Sequence, residues 1–140
     1  MNREMTKGAR FSFFAMLYCL GTVFWVATKT GHFEMSALVY GARVLEYPSE
    51  WWALGMLVPS AVYLCALVIN GRCWWTPYVR IACGFLLSSY FSYFVFSAWP
   101  AAGGDLMVIA SGVLGTKAAA MVYFDAGELV RQWGWHDERT

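Results

Sequence analysis

The sequence predicts an all-α integral membrane four-helix bundle, a single domain with a short amphipathic helix in its first loop. Three observations carry that expectation. Charged residues make up only 14% of the 140 residues while 59% are hydrophobic. A soluble domain of this length carries about 25% charged residues. The apolar residues gather into four runs long enough to cross a hydrocarbon core, which takes about 17 to 25 residues. Finally, Trp25, Trp51, Trp52, Trp74, Trp75 and Trp99 fall at or near the ends of those runs, where an amphipathic indole sits at headgroup level.

The first run is Phe11 to Thr28, bounded by Arg10 and Lys29. Basic residues precede it as in a secretory signal, but no small-x-small cleavage site follows, so it is expected to be retained. The second is Trp51 to Ile69, after Glu50 and before Asn70-Gly71-Arg72. The third runs from Ile81 to Trp99, and the fourth from Leu106 to Phe124 between Asp105 and Asp125. None alternates apolar and polar residues, as the strands of a membrane barrel must.

Between the first two runs, Met35, Leu38, Val39, Ala42 and Leu45 recur at helical spacing. That stripe suits a short helix on the outer leaflet or one capping the bundle. Tyr47-Pro48-Ser49-Glu50 ends it, with Ser49 placed to cap the second span. In the second loop, Thr76 can cap and Pro77 can take the first helical position, so the third helix should begin before its apolar core does. PAAGGD (100–105) is short and ends on Asp105, a cap for the last span. Short connections make spans two and three, and spans three and four, antiparallel neighbours, and the first and fourth helices are then expected to close the bundle.

Counting flanking Lys and Arg gives the orientation. Arg3, Lys7, Arg10, Arg72, Arg80, Arg131 and Arg139 lie on one side, against Lys29 and Arg43 on the other. Both termini are therefore expected in the cytoplasm. A net charge of +1 leaves no polybasic surface for nucleic acid. The expected partner is the lipid bilayer, joined by further copies of the chain or another membrane protein.

Catalytic signatures are missing. His32 and His136 fall outside the runs, and Cys19, Cys65, Cys73 and Cys83 lack paired metal spacing. GVLGTKA (112–118) resembles the end of a phosphate loop, but Ala118 stands where Ser or Thr is needed. No enzymatic activity, metal or cofactor is expected.

Lys117 is the one charged residue inside a run. A lysine near a helix centre costs about 2.5 to 3.5 kcal/mol to insert. Side chains tilt toward their helix N-terminus, which aims Lys117 back into the membrane. No core contains an acid, and depth matching by helical rise offers Tyr18 on the first span and Ser88, Ser89, Tyr90 and Ser92 on the third. Two readings of this midplane polar layer stand. Lys117 either locks helix register by donating to hydroxyls, or the layer lines a hydrated passage or ligand site. In the fourth run, Ser111, Gly115 and Ala119 form one small-residue row and Gly112, Thr116 and Ala120 another, of the kind that lets helix backbones approach closely. Asp125, Glu128, Arg131, Asp137, Glu138 and Arg139 make a mixed-charge amphipathic tail, expected to be solvated or interfacial.

NGRCWWTPYVRIAC and GGDLMVIASGVLGTKAAAMVYFDAGE, in roughly the second half of the chain, resemble small four-span membrane proteins encoded in tailed-phage genomes, whose role is generally unassigned. The resemblance implies a bacterial inner-membrane destination and transfers no catalytic residue. Four spans exceed the number usual for phage holins. The four-span drug exporters carry an essential glutamate in their first span, which this chain lacks. The leading expectation is a structural or interaction protein acting through helix packing. The alternative is an oligomeric, holin-like pore or small-solute channel built around Lys117.

Overall fold

The computed structural model describes residues 3–30, 49–69, 73–102 and 106–137. These form four α-helices and no strand: α1 (Arg3–Lys29), α2 (Ser49–Ile69), α3 (Thr76–Ala102) and α4 (Leu106–Asp137). All four are long and apolar enough to cross a membrane. The chain is a small polytopic membrane protein with an all-α, four-helix bundle. The amphipathic helix expected over 35–45 and the cap expected at Asp105 lie outside the described residues.

Each helix outruns its apolar core. Backbone hydrogen bonds need no change of partner where hydrocarbon gives way to headgroups, so polarity alone does not end a helix. Thus α1 begins before Phe11, and α4 continues well past Phe124. α3 starts at Thr76 as expected. The Thr76 hydroxyl donates to the carbonyl of Cys73 at 2.9 Å, bracing the preceding turn.

Consecutive helices are packed on one another, and α1 meets α4 through Arg10 on Asp125 and Glu128 and through Lys117 over Phe13. The packing rule is the same on all four. Residues of α1 at Arg10, Phe14, Leu17, Gly21 and Phe24 are buried, separated by alternating steps of four and three. On α2 the set is Ala53, Met56, Ser60 and Tyr63. On α3 it is Pro77, Arg80, Gly84, Leu87, Phe91, Phe94 and Ala98. On α4, Val108, Gly115, Ala118 and Asp125 are buried, with Ser111 and Val122 half-buried between them. A mean step of 3.5 residues is the seam of a left-handed coiled coil, in which facing side chains interlock.

Glycines set the closest approaches. A methyl group at Gly21 would lie 3.2 Å from the backbone of Leu57, so α1 and α2 are nearly in backbone contact there. At Gly115 it would lie 3.0 Å from Cβ of Phe91, and at Gly84 2.6 Å from Val122. These two join α3 to α4. The main core lies between them, with Phe14 stacked on Tyr63 (centroids 3.4 Å apart, planes 11° apart) beside Leu17, Met56, Leu87 and Phe91.

The small-residue rows of α4 divide. Ser111 and Gly115 turn inward, and Gly112 lies within reach of Val95, but Thr116, Ala119 and Ala120 are exposed. A row of step four drifts by about 40° per step on a helix of 3.6 residues per turn. A 3.5-residue seam therefore takes the beginning of each row and leaves the rest outside.

Candidate functional site

The first polar site lies at the bundle end where α1 begins and α4 finishes. Every helix contributes to it. Arg10 of α1 donates from Nη1 to Oδ1 of Asp125 at 2.7 Å and forks onto Glu128, Nη2 to Oε1 at 3.2 Å and Nη1 to Oε2 at 3.3 Å. Tyr63 of α2 donates its hydroxyl to Oδ2 of Asp125 at 2.7 Å. Arg80 of α3 reaches Oε2 of Glu128 at 3.4 Å and Oδ1 of Asp125 at 3.7 Å through Nη2. Asp125 is fully buried, Arg80 is 2% exposed and Arg10 4%, while Glu128 at 32% is the member that meets solvent.

Two guanidinium groups and two carboxylates leave this cluster formally neutral, which is what permits its burial. Satisfaction is uneven. Asp125 has partners on both oxygens, whereas Nε and Nη1 of Arg80 have no hydrogen-bond partner. The arrangement joins all four helices through one set of polar contacts.

In the sequence alone these residues are separate things: Arg10 and Arg80 are flanking charges that set orientation, and Asp125 and Glu128 belong to a solvated or interfacial tail. Two signals point to the cluster. Arg10 is in seam phase with Phe14 and Leu17, and Arg80 with Leu87 and Phe94. Opposite charges also follow the fourth apolar run at the same bundle end where positive charges precede the first and third.

Lys117 occupies a different place from the one expected. It is exposed on the surface of the bundle, with Nζ 4.9 Å from the centroid of the Phe13 ring. Among the described residues it makes no hydrogen bond or ion pair. Phe13 is three residues from Arg10, about 4.5 Å along α1, so the ammonium is drawn toward the ionic cluster rather than toward mid-bundle. Snorkelling of this kind lets a long side chain move its charge away from its own Cα. A ring beneath a cation contributes about 0.5 to 2 kcal/mol, less than the cost of about 2.5 to 3.5 kcal/mol for placing lysine at a span centre.

The hydroxyls expected around it are dispersed. Tyr18 and Ser89 are exposed. Tyr90 packs at the α2–α3 contact against Trp52, centroids 5.7 Å apart, and beside Gly55. Ser88 and Ser92 lie where α3 receives Gly115 of α4. No hydrogen bond joins any of them to Lys117. Other hydroxyls in the spans turn back on their own helix: Ser60 donates to the carbonyl of Met56 at 2.7 Å, Ser97 to Tyr93 at 2.7 Å and Thr116 to Gly112 at 2.9 Å. That is the cheapest partner available inside hydrocarbon.

At the opposite end, Lys29 lies 2.7 Å from Glu50 and 5.2 Å from the Trp25 ring centroid. Trp52 stacks on Tyr93, 5.6 Å between centroids. Cys19, Cys65, Cys73 and Cys83 are free thiols, and among the described residues no group of His, Cys, Asp and Glu is placed to hold a metal. Comparison with protein-family models, with curated proteins and with solved structures finds no match for this chain.

Proposed function

We propose that this protein is a non-enzymatic interaction protein of a bacterial inner membrane, both ends cytoplasmic, that works by seating another membrane protein against its lipid-facing surface. The observation that carries this reading is the position of Lys117. The single charge within the apolar runs stands on the outside of the bundle, one turn from the exposed small residue Ala120, with exposed Thr116 on the adjoining flank. Small side chains there allow a second helix to come close, and a cation there gives it something to recognise.

The interior supports the same reading over conduction by a single copy. The seam is filled by Phe14, Leu17, Tyr63, Leu87 and Phe91, and the charges at its end are paired with one another. The excess of basic residues beside the terminal end favours a cytoplasmic location for it. The resemblance to phage-encoded four-span proteins favours the bacterial inner membrane.

The experiment is expression at controlled level in bacterial cells, with a membrane-potential dye and a photo-crosslinking residue at Ala120 or, as control, at exposed Val62 of α2. The expected result is an unchanged potential and discrete protein adducts from position 120 alone. Collapse of the potential with only diffuse lipid adducts at both positions would instead establish the pore.

A further inference from the structure

We infer that the partner seated on α4 carries a carboxylate within its own membrane-spanning helix, at the depth reached by Lys117. This deepens the interaction reading and rests on it. The Lys117 ammonium has an aromatic face as its sole contact among the described residues, and a phenyl ring does not neutralise a charge. Its counter-charge must come from outside the chain's own four helices.

A second copy cannot provide it. The nine acidic residues are Glu4, Glu34, Glu46, Glu50, Asp105, Asp125, Glu128, Asp137 and Glu138, and every one lies outside the four apolar runs. Copies inserted with the same orientation hold equivalent residues at equivalent depth. The two acids nearest in sequence, Asp125 and Glu128, are already paired with Arg10 and Arg80.

A lipid phosphate fits less well. From the nearer surface it would have to pass Glu128, which lies eleven residues on from Lys117, about three turns, and so on the same flank of α4. From the farther surface the distance back to Leu106 is also eleven residues, about 16 Å. A carboxylate on a transmembrane helix meets neither obstacle. Ala120 is exposed one turn on from Lys117 and Thr116 on the adjoining flank, and the Thr116 hydroxyl is already engaged by the Gly112 carbonyl. The helix can therefore approach closely with one polar contact to make.

The test uses the full-length protein, fluorescently labelled in bilayers of zwitterionic lipid. Leu/Ala-rich single-span peptides carry one Glu at each of three central depths, with Gln and Lys peptides as counterparts, and association is read by energy transfer. At one depth the Glu peptide should bind at least tenfold more tightly than the others. That preference should vanish in Lys117→Met, checked for unchanged helicity and melting, and should pass to the Lys peptide in Lys117→Glu. Equal binding of all three peptides, sensitive to Ala120→Leu, would overturn the carboxylate and keep the docking face. Binding of none, or binding indifferent to positions 117 and 120, would overturn both. Loss of the Glu preference when anionic lipid is added would assign Lys117 to a phosphate and overturn the inference.

Discussion

Asp125→Asn isolates the ionic cluster from the shape of the core. The amide has nearly the volume of the carboxylate and keeps an acceptor for the Tyr63 hydroxyl, 2.7 Å away in the parent, so what is lost is charge. Arg10, 4% exposed and 2.7 Å from Asp125, then retains only Glu128, which is one-third open to solvent. Arg80, already short of partners on Nε and Nη1, retains only the 3.4 Å contact to Glu128. Removing one member of a buried pair costs about 3 to 5 kcal/mol. The surviving hydrogen bond places this variant near the lower figure, about 3 kcal/mol. At 1.4 kcal/mol per decade that is roughly a hundredfold loss in the folding equilibrium. Reversible unfolding in mixed micelles of rising SDS content, followed by tryptophan fluorescence, measures it. Glu50→Gln is the internal control. Its pair with Lys29 is equally short at 2.7 Å, but the partners are 52% and 42% exposed, and such pairs contribute about 0 to 1 kcal/mol. Equal stability losses for the two variants, or less than about 0.5 kcal/mol for Asp125→Asn, would refute burial as the source of the effect.

Tyr63→Phe keeps the stack on Phe14 and strips Oδ2 of Asp125 of its donor, so the same titration should show a loss of about 1 to 3 kcal/mol. Gly21→Ala and Gly8→Ala should differ in sign. Overpacking against the Leu57 backbone at 3.2 Å outweighs the helix-propensity gain and destabilises by about 1 kcal/mol, while Gly8 has nothing within 4 Å and gains up to about 1 kcal/mol. Lys117→Met removes a charge whose contact is one aromatic ring. It should leave the SDS midpoint unchanged or raised, whereas a register-locking lysine would lower it.

The spans were legible because hydrocarbon imposes length and composition, and Trp51, Trp52 and Trp99 mark the ends. The side that each helix turns inward was not. In water, polarity contrast reveals the buried face; here Phe85 and Phe96 face outward while Phe91 and Phe94 face inward, and nothing in their chemistry separates them. The rows of step four in α4 were visible as composition, but the 3.5-residue seam, which runs through Gly115, Ala118 and Asp125, decides which members pack. Helical rise places the Cα of Lys117 but not its charge, because a long flexible side chain carries the ammonium away from its own Cα, here onto the Phe13 ring. The cluster of Arg10, Arg80, Asp125 and Glu128 stayed hidden because each residue has an adequate solvated explanation when taken alone.

That cluster supplies what the rest of the seam lacks. Between helices in lipid there is little hydrophobic driving force, since acyl chains are as apolar as the residues they would replace. Leu17 or Leu87 can slide past a neighbour at small cost. A slip of one residue shifts a helix by about 1.5 Å and turns it by about 100°, which for α1 would take Arg10 off Asp125 and leave a buried guanidinium without that carboxylate. One polar layer at seam positions is the device that fixes register in coiled coils. In this bundle all four helices enter it, through Arg10, Tyr63, Arg80 and the pair Asp125 and Glu128. Charge exchange tests this directly. Arg10→Asp places three carboxylates around Arg80, Asp125→Arg places three cations around Glu128, and each variant alone should fail to accumulate as a monodisperse bundle in detergent. Together they restore the opposed pair and preserve the number of basic residues at that end, so the orientation signal is unchanged. The double variant should recover a folded fraction well above either single variant. It should remain below the parent, because Tyr63 loses its acceptor. Single variants as monodisperse as the parent would mean that the register is held by apolar packing alone.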